Sequence, residues 1–524
     1  MDNVIKARVS QLLANGMPQV LRGRKVGLEK ESLRVASNGN IAQTPHPRGL
    51  GSALTHPSIT TDYSEALLEL VTPPFEHFSD TLEFLDNTHR YVYSQLEDEI
   101  LWGSSMPCVV AGDASIPIAE YGSSNAAQMK TAYRRGLGHR YGRVMQAIAG
   151  VHYNYSYPQE FWNLYQSLLS DERDSRTFVS ESYIGMVRNL QRYGWLVPYL
   201  FGVSPALCGS FLGDTKTSLE KLFDHSYYGR FATSLRVGDI GYQNSKEGEA
   251  GISVNYNSLQ GYIDCLSYAI STPYAKYAEI PLCKNGEWQQ LNQNILQIEN
   301  EHYSSVRPKQ ILQGEEKPTL ALARRGVAYI ELRSLDVNPY EPLGINDEQM
   351  RFLESFLLFS LLLPSEPFGD NDLAEINYNF NAVAHRGRDP QLHLRRSGND
   401  ILMRDWANEI FDQMSLGCDL LDSGYRESIY CSSLQHQRTK IEDPDRTPSA
   451  RVLTEMIDKR EEFFEFSLRM SKQHAEWFAN RPLDADQQAR FEAEARRSID
   501  QQKEIEASDK IPFDEFMKNY FAQS

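Results

Sequence analysis

Acidic side chains recur at strand spacing in two short segments near the N-terminus. Glu29 and Glu31 are two residues apart in GLEKESLRV, and Glu65 and Glu69 are four apart in EALLELVT. Alternate side chains of a β-strand share a face, which would bring Glu29 and Glu31 to about 7 Å from each other. Such carboxylates offer the hard oxygen ligands that Mg²⁺ and Mn²⁺ prefer.

Two later segments repeat this pattern with other functional groups. In VHYNYSY, His152 and Asn154 share one face, and in AYIELRSLDV, Glu331 and Arg333 share another. Acids gathered on a single sheet face repel one another by about 1 kcal/mol per pair at 4 Å in water, and by more at lower dielectric. A face that combined these strands would therefore need bound cations. Taken singly, each segment also fits a half-exposed strand with ordinary surface charges.

Arg333 has two interpretations. Its guanidinium could stabilise negative charge on a phosphoryl group during transfer. It could equally form a simple ion pair with Glu331. The sequence contains no G-x-x-x-x-G-K-[ST] loop to cradle a triphosphate. The absence of this loop suits a metal-lined sheet as the site of any nucleotide.

The elements that must position these groups indicate a chain of mixed helix and strand. Strand-like alternation occurs at 26–35, 65–72, 151–157, 291–303 and 326–337, and helical spacing at 78–96, 140–150, 159–202 and 451–519, broken near Pro482. The strands alternate between an apolar and a charged face, unlike parallel strands buried on both faces. We therefore predict an α+β fold with a largely antiparallel sheet, packed on helices by one face and open to a site on the other.

The composition of the chain excludes several classes of function. Its 524 residues carry a formal net charge of −17, which argues against binding along a nucleic-acid backbone. Its six cysteines form no CxxC pair and no zinc-binding spacing. The longest apolar run, FLESFLLFSLLLP, is shorter than a membrane span, and the N-terminus lacks the features of a secretion signal. We predict a cytoplasmic monomer that binds neither nucleic acid nor membrane.

A series of segments, in order along residues 15–385, resembles one protein family. The series includes GLEKESLRV (27–35), YRRGLGHRYG (133–142), GVHYNYSYP (150–158), LQIENEHYSSVRPK (296–309) and AYIELRSLDVNPYEPLGI (328–345). The family is glutamate–cysteine ligase, also called γ-glutamylcysteine synthetase, in its bacterial monofunctional type. A series of motifs in the same order along the chain is far more specific than any single short pattern.

The resemblance implies a fold similar to the catalytic core of glutamine synthetase, with a curved, largely antiparallel sheet. A catalytic domain would span 1–445, and a charged helical C-terminal region, 446–524, would pack on it. In the implied reaction, the γ-carboxylate of glutamate takes the terminal phosphoryl group of ATP, and the amine of cysteine attacks the resulting γ-glutamyl phosphate. The product, γ-glutamylcysteine, is the first intermediate of glutathione biosynthesis. Mg²⁺ is the implied cofactor, with Mn²⁺ as an alternative.

The matching motifs also imply roles for individual residues. The implied metal ligands are Glu29, Glu31, Asp62, Glu69, His152 and Glu331. Arg333 would stabilise the transition state, and Arg236 would contact the glutamate carboxylate. The implied cysteine subsite is lined by Tyr133, Tyr242 and Tyr303. Lys30, which would point away from the neighbouring acids, is expected to be structural.

Two other functions remain open from the sequence. The chain could be a related carboxylate–amine ligase, with the same metal site and a different amine acceptor. It could also be a non-catalytic regulator that binds nucleotide or metal on the same scaffold. Such a regulator would be expected to lack one or more of the metal-binding acids, whereas every expected acid is present here.

Overall fold

The computed structural model describes residues 2–241 and 253–523, and its central feature is an antiparallel sheet. The strands of this main sheet are β1 (Lys25–Ala36), β2 (Ile59–Thr61), β3 (Leu67–Val71), β4 (Glu99–Leu101), β5 (Val151–Ser156), β11 (Val306–Lys309) and β12 (Tyr329–Leu335). Their order is β11–β12–β5–β1–β3–β2, with β4 paired to the end of β1. Each of these neighbouring pairs is antiparallel. The predicted antiparallel sheet is confirmed.

Short ribbons lie outside the main sheet. They are formed by β6 (Ala206–Cys208), β7 (Glu220–Leu222) and β8 (Ser226–Tyr228), by β9 (Cys283–Lys284) with β10 (Glu287–Trp288), and by β13 (His393–Arg396) with β14 (Asn399–Leu402).

Helices surround the sheet and account for most of the C-terminal third. The first group is α1 (Asp2–Ala14), α2 (Met17–Leu21), α3 (Phe78–Gln95), α4 (Asn125–Tyr141), α5 (Gln159–Leu168), α6 (Ser175–Tyr193), α7 (Leu196–Phe201) and α8 (Gly209–Leu212). The second is α9 (Leu259–Ser271), α10 (Ala275–Ala278), α11 (Pro318–Arg325), α12 (Asp347–Leu362), α13 (Asp372–Arg386), α14 (Met403–Asp422), α15 (Ile429–Glu442), α16 (Pro448–Lys459), α17 (Phe463–Ala479), α18 (Ala485–Ser508) and α19 (Phe513–Phe521). The predicted α+β class is confirmed.

The strand predicted at 291–303 is wrong. These residues form loops and a 3₁₀ turn at Glu299–Glu301, and the strand that completes the sheet is β11, which follows. The alternation was misleading because its polar side chains bind loop backbone, as when Asn292 Nδ2 donates to Gln297 O at 2.8 Å. The helix expected at 140–150 is also wrong, since α4 ends at Tyr141, where Gly142 has a φ of +86°.

One face of the main sheet is apolar and buried beneath helices. Its side chains are at most 2% exposed and comprise Val26, Leu28, Leu68, Leu70, Tyr153, Tyr155, Ile330 and Leu332. Helix α3 packs on β1 and β3, and α12 packs on α3. Lys30 also lies on this side, where its Nζ is 2.9 Å from Nε2 of His89 in α3. The opposite face is therefore left for polar side chains.

A buried ion pair connects this apolar layer to the helices behind it. Arg24, which precedes β1, has its Nε 2.9 Å from Glu354 Oε1 of α12, and the two side chains are 4% and 1% exposed. The hydroxyls of Tyr155 and Tyr430 donate to the same carboxylate at 2.9 and 2.5 Å. One carboxylate thus ties together β1, β5, α12 and α15.

The C-terminal helices pack on the rest of the chain. Helix α17 contacts α3 and β4, and α18 contacts α3. The backbones approach closely at Gly51, where φ is +85° and an added Cβ would lie 2.9 Å from Ala495 Cα. The break expected near Pro482 lies between α17 and α18, as predicted. The division of the chain into domains at 445 stays a prediction.

Within residues 2–241 and 253–523, each helix is too short or too polar to cross a lipid bilayer. The longest apolar run of the sequence forms most of α12, whose side chains from Phe352 to Leu362 are buried.

Loss of the buried carboxylate should destabilise the fold. Glu354→Ala is expected to lower the free energy of unfolding by about 3–5 kcal/mol, because Arg24 then stays buried without its counter-charge. Urea unfolding followed by circular dichroism measures this. Glu76→Ala is the control: it removes the exposed partner of Lys25 and should leave the midpoint unchanged. Equal effects of the two substitutions on the urea midpoint would contradict the stabilising role of the buried Arg24–Glu354 ion pair.

Candidate active site

The register of the main sheet gathers the acidic strands on one face. Glu29 of β1 pairs directly with His152 of β5, and Glu31 pairs with Glu69 of β3. Further along the sheet, Asn154 of β5 pairs with Glu331 of β12. Because directly paired residues project to the same side, these groups form one row across four strands.

His152 lies at the centre of this row. Its Nδ1 is 2.9 Å from Glu29 Oε2 and 3.6 Å from Glu331 Oε1, and its Nε2 is 3.6 Å from Glu31 Oε1. Two sets of potential ligand atoms lie within 4.8 Å of one another: Glu29, His152 and Glu331, and Glu31, Glu69 and His152. The imidazole of His152 therefore belongs to two clusters, one with Glu29 and Glu331 and the other with Glu31 and Glu69.

Asp62 joins the same cavity from a turn. It follows β2, and its backbone N–H donates to Leu67 O at 3.0 Å, which closes the turn into β3. Its carbonyl oxygen accepts from Tyr121 and Arg134. Its side chain lines the cavity that contains the other acids, and it contributes to raising the pKa of Glu69.

Glu65 does not join the acids, although it lies near Glu69 in the sequence. Its Oε1 accepts from the backbone N–H of His46 at 2.7 Å, and its Oε2 accepts from that of Glu120 at 2.9 Å. Glu65 precedes β3 in a turn, so the period-two pattern of the strand does not extend to it. Its role is to hold two loops.

The acids differ in their electrostatic surroundings. Burial, with the charges of Glu29 and Asp62, raises the pKa of Glu69 well above its usual value, and burial raises that of Glu31. Burial also opposes ionisation of Glu331, but Arg333 and Lys309 together hold its pKa well below the usual value. The β1–β3 side of the row is thus short of positive charge, whereas the β12 side is not.

The donor set fits divalent cations. Oε2 of Glu331 is buried and accepts no hydrogen bond from a residue in the described part of the chain, although Lys309 Nζ lies 3.4 Å away. Glu331, His152 and Glu31 are 1%, 3% and 5% exposed. Buried carboxylate oxygens grouped around one imidazole, with raised pKa values on two of the acids, match hard-cation coordination.

Arg333 extends over the row from β12. Its NH1 is 2.8 Å from Glu331 Oε1 and 3.4 Å from His152 Nδ1. Its Nε is buried and makes no hydrogen bond within residues 2–241 and 253–523. The ion pair with Glu331 is therefore present, and it leaves part of the guanidinium without a partner.

Arg236 lies beside Arg333. It belongs to a 3₁₀ turn, Leu235–Val237, is 2% exposed, and donates from NH2 to Arg333 O at 3.2 Å. Its guanidinium rests on Gly150, where an added Cβ would lie 2.6 Å from Arg236 Cζ. The same glycine donates its backbone N–H to Glu31 Oε2 at 2.6 Å. Gly150 thus brings an arginine and an acid to the same edge of the cavity.

Helix α4 forms the wall opposite the sheet and encloses a cavity of about 440 Å³. The helix begins where Ser124 Oγ accepts from Ala127 N, and it presents Tyr133 to the cavity. Tyr303, just after the Glu299–Glu301 turn, also lines the cavity. Tyr242 lies outside the described residues.

Sequence reasoning assigned no role to several residues around the acids. Asn154 donates to Glu29 Oε1 at 2.9 Å, and Arg307 of β11, which lines the cavity, pairs with Glu331. Lys309, Lys130 and Arg134 also line the cavity. Asn154 carried a signal, since it shares a strand face with His152, but Arg307 and Lys309 lie on the strand that was misplaced.

Comparisons with known proteins agree on one family. The family model described as glutamate-cysteine ligase matches residues 9–383. A protein named glutamate–cysteine ligase from Alcanivorax borkumensis is 45% identical over 523 residues, covering 99% of both chains. One of the same name from Pseudomonas aeruginosa is 46% identical over 522 residues, covering 100% of this chain and 98% of that one.

Two solved structures resemble the fold. The first, a glutamate–cysteine ligase from Francisella tularensis in complex with AMP, has a TM-score of 0.89 and 35% identity, covering 95% of this chain and 97% of that one. The second, a bifunctional glutathione synthetase from Pasteurella multocida, has a TM-score of 0.73 and 23% identity over 92% of this chain and 58% of that one, which supports the fold alone. With the family model and the near full-length relatives, these findings show that the chain belongs to the glutamate–cysteine ligase family.

Proposed function

We propose that this chain joins the γ-carboxylate of L-glutamate to the amine of L-cysteine, using ATP, and so makes γ-glutamylcysteine, the first step of glutathione biosynthesis. The observation that supports this proposal is the position of the His152 imidazole, which two pairs of carboxylates share. Arg333 and Arg236 lie beside this site. A carboxylate is a poor electrophile, so phosphorylation to γ-glutamyl phosphate supplies the leaving group.

The proposed metal ligands are Glu29, Glu31, Asp62, Glu69, His152 and Glu331. Bound Mg²⁺, or Mn²⁺, would supply positive charge that offsets the negative charge of the ATP phosphates. The chain's own contribution is to hold the acids close together in a buried site and to fix His152 between them. The raised pKa values of Glu31 and Glu69 support this assignment, because a cation would relieve the repulsion that causes part of the shift in Glu69.

The two arginines would act on the reacting groups. Arg236 would contact a carboxylate of glutamate, and Arg333 would stabilise the charge of the phosphoryl group in transit. Arg236 NH2 donates to the backbone carbonyl of Arg333, which holds the two residues side by side. Glutamate bound to Arg236 would then lie beside Arg333.

The acceptor amine enters next. Tyr133, Tyr303 and Tyr242 are the proposed lining of its subsite. The nitrogen attacks the carbonyl carbon of γ-glutamyl phosphate, a carbon–nitrogen bond forms, and the carbon–oxygen bond to phosphate breaks. The released phosphate carries the electron pair of the broken carbon–oxygen bond, and the proton that the amine nitrogen loses passes to solvent. We assign this chemistry to a catalytic domain, 1–445, with 446–524 packed on it as a helical region.

The identity of the amine acceptor distinguishes a glutamate–cysteine ligase from a related carboxylate–amine ligase that uses another amine. With Mg²⁺, ATP and glutamate, ADP release should rise at least about tenfold on addition of cysteine or its near isostere 2-aminobutyrate. Polyamines and other amino acids should leave the rate near background. A coupled ADP assay measures this across the panel. Stimulation by a different amine alone would replace cysteine as the acceptor.

Glu331→Gln should remove most of the activity. Turnover is expected to fall about 100-fold, and the Mg²⁺ concentration for half-maximal rate should rise, because an isosteric amide is a weaker ligand than a carboxylate. Steady-state assays across a Mg²⁺ series measure both. Glu65→Gln is the matched control, since its carboxylate binds backbone amides outside the cavity, and it should keep the wild-type Mg²⁺ response. Near wild-type turnover of Glu331→Gln would refute the ligand assignment.

Arg333→Lys should lower kcat about 10³-fold, because an ammonium cannot reproduce the planar, forked donor of a guanidinium. The KM values for glutamate and cysteine should change much less, since the charge is needed mainly in the transition state. Arg173→Lys, at an exposed ion pair with Asp171, is the control and should match the wild type. A fall in kcat of less than tenfold for Arg333→Lys would show that its role is the ion pair with Glu331 alone.

A further inference from the structure

Asp336 is a buried carboxylate next to the active site that is not one of the proposed metal ligands. Strand β12 ends at Leu335, and Asp336 is the next residue. Its side chain does not line the cavity, although its backbone follows the strand that carries Glu331 and Arg333. A buried acid in this position needs positive charge or hydrogen-bond donors around it.

An irregularity in β12 decides the direction of this side chain. Leu332 pairs with Tyr153 and Leu335 pairs with Val151, so β12 advances by three residues where β5 advances by two. The extra residue is a β-bulge, and it reverses the alternation of faces beyond it. In a regular strand, Asp336 would share the apolar face with Leu332. Because of the bulge, Leu335 takes the apolar side and Asp336 turns to the side of the acids.

The oxygens of Asp336 hold two neighbouring segments of the chain. Oδ2 accepts from the backbone N–H of Val203 at 2.8 Å, and Oδ1 accepts from the hydroxyl of Ser234 at 2.8 Å. The 3₁₀ turn Leu235–Val237 begins directly after Ser234. The carboxylate therefore fixes the point from which the turn that carries Arg236 starts.

The same carboxylate supplies a counter-charge to Arg236 without forming a hydrogen bond with it. NH1 of Arg236 lies 3.9 Å from Asp336 Oδ1, which is beyond hydrogen-bonding range, and the two side chains are 2% and 0% exposed. Burial raises the pKa of Asp336, and the charge of Arg236 is the strongest influence that opposes this shift. Each group therefore stabilises the charge of the other.

This separation leaves donors of Arg236 available to a ligand. NH2 donates to Arg333 O, but Nε and NH1 are buried and make no hydrogen bond with any residue that the structure describes. Glu331, by contrast, lies 2.8 Å from Arg333 NH1 and occupies that donor. Buried donors without acceptors are costly, and a substrate carboxylate would satisfy both.

A second acid lies on the other side of Arg236. The guanidinium rests on Gly150, whose backbone N–H donates to Glu31 Oε2 at 2.6 Å. Burial raises the pKa of Glu31, and the charge of Arg236 is one of the influences that oppose this rise. Arg236 is therefore attracted from both sides. Without the charge of Asp336, it would be drawn towards Glu31 alone, away from its place in the cavity wall.

We propose that Asp336 is a positioning residue for glutamate, which holds Arg236 back from Glu31 so that two guanidinium nitrogens stay open to a substrate carboxylate. This proposal rests on the proposed function, in which Arg236 contacts a carboxylate of glutamate. Asp336 acts through Arg236 and does not touch the substrate itself.

Asp336→Asn removes the charge and can keep both hydrogen bonds, since the amide oxygen can accept from Val203 and the amide nitrogen can donate to Ser234. The KM for glutamate should rise about tenfold, whereas the KM values for ATP and cysteine should change less than about twofold. Steady-state assays of ADP release measure all three.

The direction of the change separates positioning from a simple effect of charge. Loss of a negative charge beside Arg236 would by itself strengthen the attraction for anionic glutamate and lower its KM. Loss of the arginine's position raises that KM instead. An unchanged or lower KM for glutamate in Asp336→Asn would therefore overturn the proposal.

Ser105→Ala is the structural control for the end of β12. Ser105 Oγ accepts from the backbone N–H of Val337, the residue after Asp336, at 2.7 Å. Its loss should lower the melting temperature and leave the KM for glutamate within about twofold of wild type. A rise in this KM equal to that of Asp336→Asn would show that general loosening of the strand end is the cause, and would overturn the proposal.

Arg236→Gln removes the group that Asp336 is proposed to position. In that background, Asp336→Asn should change the KM for glutamate less than about twofold, because the effects of coupled residues do not add. A further tenfold rise would overturn the proposal, since Asp336 would then act by another route.

Melting temperatures test the same coupling without turnover. Asp336→Asn should lower the melting temperature because Arg236 loses its counter-charge, and the double variant with Arg236→Gln should regain part of that loss. If Asp336→Asn alone does not fold, a double variant that folds would support the pairing, and one that does not would overturn it. A wild-type protein that releases no ADP with glutamate and cysteine would instead reject the proposed function, so the two failures are distinct.

Discussion

The contact on which the rest of the site depends is the sharing of one imidazole, that of His152 on β5, by carboxylates from the two flanking strands β1 and β12. His152 touches Glu29 and lies 3.6 Å from both Glu31 and Glu331. Holding these acids together requires that β1, β5 and β12 keep one register, because a slip by one residue would turn each acid towards the apolar face. The sheet therefore has to be stabilised from its other side, where the acids make no contribution.

That stabilisation comes from the division of each strand between two environments. On β1, Leu28 packs beneath the sheet while Glu29 and Glu31 face the cavity. The buried contact of Glu354 with Arg24, Tyr155 and Tyr430 fixes the same strands to the helices behind them. Burial of one face thus holds like charges together on the other, and this is a common way in which a folded scaffold supports an unfavourable arrangement of charge.

The sequence predicted the parts of this arrangement that depend on local periodicity. Alternation identified the faces of β1, β5 and β12, and so Glu29, His152 and Glu331. It could not separate Glu69 from Glu65, because the backbone amides that bind Glu65 belong to distant loops. It also misplaced β11, since the polar side chains of 291–303 bind loop backbone. Strand order depends on long-range pairing, which period-two spacing does not encode.

The two interpretations of Arg333 are compatible once the charges of the cavity are considered together. The acids of β1 and β3 lie on one side, whereas Arg333, Arg307 and Lys309 lie along β12 and β11 on the other. The ion pair with Glu331 holds the guanidinium in place and keeps that carboxylate ionised, as its low pKa indicates. An arginine already oriented in a buried site needs little reorganisation when negative charge arrives beside it, which makes its stabilising effect larger than that of a mobile surface cation. The ion pair is therefore the means by which Arg333 is positioned for phosphoryl transfer.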